Sequence, residues 1–151
     1  MPSVTFDEIN IGDQHKSRRI ITRSDIAAFA AVSGDDNPIH LSDAFAQAAQ
    51  FGGIIAHGML VASSISKSLG TELPGYGTTF LGLNNLKFLK PVSPGDEITT
   101  TITVTKKHDS KPIVWFDCAL SNQNGEPVIT AEAVVKAPVV KAVMATPQST
   151  P

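Results

Sequence analysis

Gly58-Met59-Leu60-Val61-Ala62-Ser63-Ser64-Ile65-Ser66-Lys67-Ser68-Leu69 is the stretch on which the fold turns. Met59, Leu60, Val61, Ala62, Ile65 and Leu69 are spread around most of a helical circumference. Small serines stand between them, and no charge appears before Lys67. A helix that is apolar on nearly every side is one that other elements surround. Gly70 is the expected C-terminal stop.

Downstream of this helix the period of the apolar pattern changes. Ile98-Thr99-Thr100-Thr101-Ile102-Thr103-Val104-Thr105 alternates as a half-buried strand should, and Ile113 to Leu120 and Val128 to Val135 are β-rich as well. Asn122-Gln123-Asn124-Gly125 reads as a hairpin loop, and Thr79 to Phe88 adds one more strand. Upstream, Gln14 to Ile21 reads as an early strand. A hydroxyl of Thr22-Arg23-Ser24-Asp25 then caps a helix carrying Ile26, Phe29, Ala30 and Ser33, which Gly34 ends. A short helix is expected over Ser42 to Ala49. Early helices followed by consecutive strands indicate an α+β domain, an antiparallel sheet wrapped around one buried central helix.

The bulk numbers agree with that scale. The 151 residues fit one domain with a real core, at 42% apolar and 17% charged. Twelve basic against fourteen acidic residues leave a net charge of −2, which supplies no argument for nucleic acid or an acidic membrane. Cys118 is the single cysteine, so no internal disulfide forms, which suits a reducing cytoplasm. The acidic start Met1-Pro2-Ser3-Val4-Thr5-Phe6-Asp7-Glu8 does not resemble a signal peptide, and no apolar run is long enough to span a bilayer. We read residues 1–138 as the domain. Residues 139–151, rich in Pro, Ser and Thr towards their end, read as a flexible tail outside the chemistry.

Gly34-Asp35-Asp36-Asn37-Pro38-Ile39-His40 carries the strongest chemical signal. Pro38 presets its own backbone and drives Asn37 away from helical angles, so the segment is a shaped loop. Such a loop can bring a carboxylate and an imidazole together, the parts needed to activate water near neutral pH. The plainer reading is a polar turn with His40 capping the next helix. Ile54-Ile55-Ala56-His57-Gly58-Met59-Leu60 is the second signal: Gly58 permits close approach, and free N–H groups at a helix start receive developing negative charge. Its plainer reading makes Gly58 a packing residue between helix and sheet.

Together, Gly34 to His40 followed by His57-Gly58-Met59-Leu60 closely resembles the MaoC-like, (R)-specific enoyl-CoA hydratase family. The likeness extends to Phe88-Leu89-Lys90-Pro91-Val92-Ser93-Pro94-Gly95-Asp96-Glu97 and to Glu132-Ala133-Val134-Val135-Lys136, covering residues 6 to 138. The resemblance implies a hot-dog fold, with Asp35 and His40 as the catalytic pair and the Gly58 N–H polarising a thioester carbonyl. It implies one water held between the pair, attack at C3, and syn protonation at C2 to give an (R)-3-hydroxyacyl thioester. One of the two groups removes a proton and the other delivers one. No cofactor and no metal are required. The expected partner is an acyl-CoA thioester, with acyl carrier protein as the alternative carrier and a homodimer as the expected assembly.

Asn37 belongs to the same motif and is assigned to substrate binding. Ser66, two turns beyond Gly58, shares a helix face with Met59, Ala62 and Leu69. The family puts that face against the acyl pocket, so Ser66 is expected to reach Asp35, with Leu69 and Val134 limiting acyl length. A small filler serine is the competing reading. His57 opens the helix, where the dipole disfavours a cation, and reads as structural. Four scattered histidines and one cysteine show no zinc spacing. The rival from another class is a catalytically silent hot-dog subunit that binds acyl thioesters, which would have no need of both Asp35 and His40.

Overall fold

The computed structural model describes residues 3–142. Five strands, β1 (Gln14–Ile20), β2 (Thr79–Phe88), β3 (Glu97–Lys107), β4 (Ile113–Ser121) and β5 (Pro127–Lys136), form one sheet in the order β1-β3-β4-β5-β2. Every neighbouring pair is antiparallel. The helices α1 (Arg23–Ser33), α2 (Asp43–Ala48) and α3 (Gly58–Thr71) all lie between β1 and β2 in the chain, and α3 packs on β1, β2 and β3.

The alternating pattern of the strands turns directly into the core. Ile98, Thr100, Ile102 and Val104 of β3 point inward, as do Val114, Phe116, Cys118 and Leu120 of β4. Ala131, Ala133 and Val135 of β5 do the same, and Leu60, Val61, Ile65 and Leu69 of α3 close against them. Burial of several such side chains, at about 1.5–3 kcal/mol each, is what anchors α3 in the curve of the sheet. Cys118 is part of this core, and desolvation pushes its thiol up to about 12.

The helix ends follow local chemistry. Thr22 and Asp25 form a reciprocal capping box at the start of α1, and Gly34 ends it in the left-handed conformation with φ 79°. Ser42 caps α2 by accepting the Phe45 N–H, so His40 is free of the capping duty that the plainer reading gave it. Gly70 does not stop α3, which runs one residue further to Thr71. The helix ends where Pro74 restricts Leu73, and the N–H groups of Glu72 and Leu73 close back on the Ser68 carbonyl.

α3 also differs from the expectation that it is surrounded. Met59 is 53% exposed, and Ser63, Ser66 and Lys67 are exposed with it along one stripe. Sequence shows how apolar a helix is, whereas the burial of each face depends on what packs there. At the C-terminal end of the described chain, Lys141 donates to the Ser3 carbonyl and to the Glu8 carboxylate, and the Ala142 N–H donates to Ser3 Oγ. The Lys141 hydrogen bond first, and the Thr5 N–H after it, hold the Glu8 carboxyl down at about 2. Residues 143–151 of the expected tail lie outside the described residues.

Candidate active site

Three hydrogen bonds stitch the Asp35–His40 loop to the chain entering α3. The Ile55 N–H donates to the Ile39 carbonyl at 3.2 Å, His40 Nδ1 donates to the Ile55 carbonyl at 2.6 Å, and His57 Nε2 donates to the Asp35 carbonyl at 2.9 Å. A carbonyl oxygen only accepts, so the proton of His40 lies on Nδ1 and its Nε2 presents a lone pair. That Nε2 stands 4.0 Å from Asp35 Oδ2. The other carboxylate oxygen, Oδ1, accepts the Asn37 N–H at 3.3 Å, which orients the group. Asp35 is also held through its own N–H, which donates to Ser33 Oγ.

The two groups differ in setting. The Asp35 side chain is 52% exposed and that of His40 only 9%. They face a cavity of about 560 Å³ whose walls are mainly apolar: Phe29, Phe51, Val61, Phe88, Val92 and Ile129 among them. Gly58 and Met59 line it as well, so the start of α3 opens on the same space. Within α3 the first backbone bond runs from the Val61 N–H to the His57 carbonyl, and the His57 side chain provides no cap. The N–H groups of Gly58, Met59 and Leu60 therefore have no partner from the helix. Gly58 is also a packing position. A Cβ there would come within 2.6 Å of the Phe88 ring, as the packing reading of this glycine expects.

Asp35, His40, His57 and Gly58 thus converge on one cavity. The remaining predicted residues do not. Asn37 spends its side chain on its own loop, accepting the Ile39 N–H, and is absent from the cavity wall. Ser66 is exposed on the open stripe of α3 and makes no hydrogen bond to Asp35, contrary to the helix-face expectation. Leu69 is 1% exposed inside the core, and half-buried Val134 alternates with the core-facing Ala133 and Val135. Two further turns along α3 carry Ser66 and Leu69 away from the loop, so in the single chain these three residues lie apart from the cavity.

His57 is the residue whose environment was least legible. It is 2% exposed, its ring stacks on His40 with centroids 3.8 Å apart and planes at 27°, and Phe29 packs against it at 4.8 Å. Its Nδ1 is buried without a hydrogen-bond partner. Asp35, His40 and His57 bring possible metal-ligand atoms within 4.8 Å of one another. The two imidazole rings are stacked, with centroids 3.8 Å apart and planes at 27°, so their in-plane lone pairs run alongside one another. A metal needs lone pairs that converge on one point.

Asp43 also went unread. Its carboxylate accepts the Ile54 N–H and two bonds from Arg23, bracing the segment whose Ile55 carbonyl holds His40. The Ile54 N–H first, and Arg23 after it, hold this carboxyl below its ordinary value. These contacts span eleven and twenty residues, and no local pattern announces them.

The sequence matches the MaoC like domain over residues 8–118. It is 42% identical over 135 residues to the (R)-specific enoyl-CoA hydratase of Aeromonas caviae, covering 89% of this chain and 100% of that protein. It is 37% identical to the 3-hydroxybutyryl-CoA dehydratase of Methylorubrum extorquens, over 88% of this chain and 83% of that one. Among solved structures, the A. caviae (R)-hydratase involved in PHA biosynthesis superposes with a TM-score of 0.83, covering 86% of this chain and 98% of that one. An unliganded R-hydratase from Pseudomonas aeruginosa, 37% identical, reaches 0.86 over 99% and 97% of the two chains. A five-stranded antiparallel sheet against a central helix, the loop and helix start on one cavity, and this similarity along nearly the whole chain lead to one conclusion: the protein belongs to the MaoC-like dehydratase family and has its hot-dog fold.

Proposed function

We propose that this protein is an (R)-specific enoyl-CoA hydratase, adding water syn across trans-2-enoyl-CoA and, in reverse, dehydrating (R)-3-hydroxyacyl-CoA. The observation that carries the reading is the 4.0 Å gap between His40 Nε2 and Asp35 Oδ2 at the wall of an apolar cavity. One water fits between two such acceptors, donating one hydrogen to each. As its oxygen bonds to C3, Nε2 takes one proton, and electron density moves through C2 onto the thioester oxygen. Both facing atoms accept, so a single proton is taken from water and returned to C2 on the same face, in place of the two-group transfer that the resemblance implies. The atoms balance: OH arrives at C3, H arrives at C2, and His40 is regenerated. The unpartnered N–H of Gly58 receives the developing oxyanion, a contribution on the order of a hundredfold or more.

Coenzyme A is favoured over acyl carrier protein as the carrier. Among the residues lining the cavity Lys90 is the one lysine or arginine, and Glu126 pairs with it, so the mouth lacks the basic surface that an acidic carrier protein would seek. The assembly in this reading is a homodimer. The outer edge of β2 is open and carries exposed Phe80, Leu81 and Phe88, while the opposite edge strand β1 is guarded by Lys16, Arg18 and Arg19. The cytoplasm is the compartment proposed, from the lone thiol. No helix among the described residues is long and apolar enough to cross a membrane.

The test is loss of enoyl-thioester absorbance when the protein meets crotonyl-CoA, repeated with Asp35→Ala and His40→Ala. Rapid loss in the wild type, slowed by about a hundredfold or more in each variant, supports hydration and both roles. No loss with crotonyl-CoA or longer enoyl-CoAs would remove the CoA reading and bring the carrier-protein dehydratase and the silent acyl-binding subunit forward.

A further inference from the structure

We propose that His57 is a positioning residue for the hydration reaction, setting the Asp35–His40 separation by donating Nε2–H to the Asp35 carbonyl while its ring backs the ring of His40. This rests on the hydratase reading of the same cavity.

The His57 side chain touches both members of the pair at once. It reaches Asp35 through its main-chain carbonyl, at 2.9 Å, and His40 through a face-to-face stack at 3.8 Å. The Asp35 loop needs such an anchor. Residues 34–38 are exposed, and the two ties to Ile55 hold the far end of the loop, at Ile39 and His40. Around Asp35 the other bonds are local turns, from the Asp35 N–H to Ser33, from the Asp36 N–H to the Gly34 carbonyl and from the Asn37 N–H to the Asp35 carboxylate. Those turns give the loop its shape without fixing its distance from His40. The bond from His57 does fix it, because His57 is buried at the root of α3 and packed against Phe29.

Packing alone does not account for a histidine here. A phenylalanine would fill the same space against Phe29 and His40 with no polar atom to desolvate. Histidine brings Nδ1, which is buried without a partner, and such an atom costs stability. What the imidazole adds in return is the Nε2 donor, aimed at the residue whose carboxylate must stay one water away from His40. A general base loses most of its effect when its geometry slips by about 1 Å, on the order of a hundredfold. Because the acyl chain would lie against the apolar walls of Phe29, Phe51, Val61 and Phe88, replacing the His57 ring by another of similar size should act on turnover and leave those walls intact.

The test compares wild type, His57→Phe and His57→Gln with crotonyl-CoA, each first checked for folding by circular dichroism and melting temperature. Phenylalanine keeps the stack and removes the donor; glutamine places an amide N–H near the position of Nε2. The expected result is a fall in kcat of about a hundredfold for His57→Phe with KM within about twofold of wild type. Glutamine should restore kcat to within about tenfold. A His57→Phe enzyme with wild-type kcat would overturn the proposal. So would a glutamine variant no better than phenylalanine, or KM rising in step with the loss. Should His57→Phe fail to fold, nitrogen NMR of histidine-labelled wild type decides: a solvent-protected proton on Nε2 is expected, and the Nδ1–H tautomer contradicts the bond. An inactive wild type would instead count against the hydratase reading, and the NMR result would still stand on its own.

Discussion

His40 and Asp35 face each other across a gap of 4.0 Å, and His40 is held there from behind by the Ile55 carbonyl. The gap is too long for a direct hydrogen bond and the right size for a bridging water. Chemistry and stability should therefore separate under mutation. Asp35→Asn, at a half-exposed side chain, should lower kcat by about a hundredfold or more while changing stability by under about 0.5 kcal/mol. His40→Asn keeps a donor near the position of Nδ1 and loses Nε2, so it should be as inactive as His40→Ala yet more stable. Steady-state kinetics beside melting curves check both, and equal stability of the two His40 variants would contradict the donor argument.

Gly58 poses a contest between two effects of similar size. Alanine favours a helix over glycine by about 1 kcal/mol, whereas the new methyl would meet the Phe88 ring at 2.6 Å. Phe88 is 52% exposed and free to swing outward, so the clash costs less than the 1–3 kcal/mol or so of a buried one. Gly58→Ala should melt within a few degrees of wild type and yet lose activity, because methyl and displaced ring crowd the N–H groups at the start of α3. Adding Phe88→Ala should recover part of the lost kcat/KM. No recovery would show that the ring is not the obstacle.

The open edge of β2 gives a prediction about assembly. Leu81 is 52% exposed on that edge, and a lysine there would place like charges together across a two-fold pairing of copies. Leu81→Lys should turn a dimer into a monomer by sedimentation velocity, whereas Arg18→Ala on the opposite edge should leave the dimer unchanged. A wild-type monomer at micromolar concentration would remove the dimer from the reading.

Acid stability follows from the lowered carboxyls. The Asp43 carboxyl lies below its ordinary 3.8 through the Ile54 N–H and Arg23. A group whose folded value is lowered contributes stability above the unfolded value and loses it as pH falls through the folded one. Glu8, Asp25, Glu72 and Glu126 are lowered as well, so the wild-type melting temperature should fall as pH drops below about 4. Asp43→Asn should flatten that acid limb by its share. Parallel melting profiles for the two proteins between pH 7 and pH 3 would contradict it.

What could be read from sequence, and what could not, divides along contact range. Each predicted strand falls within two residues of the observed one at either end, because alternation such as Ile98-Thr99-Thr100-Thr101-Ile102 is itself the inward and outward pattern of β3. Asp35 and His40 were legible because they stand five positions apart in a loop shaped by Pro38. The exposed face of α3 was not, since Met59 looks the same in sequence whether covered or open. The stitches from Ile55, Asp43 and His57 were hidden for the same reason, each depending on a partner at least eleven residues away. Ser66, Leu69 and Val134 were placed by helix arithmetic and family likeness, and neither says which residues line the cavity within one chain.

The uncapped start of α3 has a thermodynamic consequence. Three amide groups there forgo the stabilisation a serine or aspartate cap would supply, about 1 kcal/mol in ordinary helices. The folded state is thus left incomplete at the place where an anionic oxygen would complete it. A small molecule that places such an oxygen there would bind the folded chain and not the unfolded one, and mass action would convert its affinity into heat resistance. The helix end works as a socket whose filling can be read by melting alone, without watching turnover.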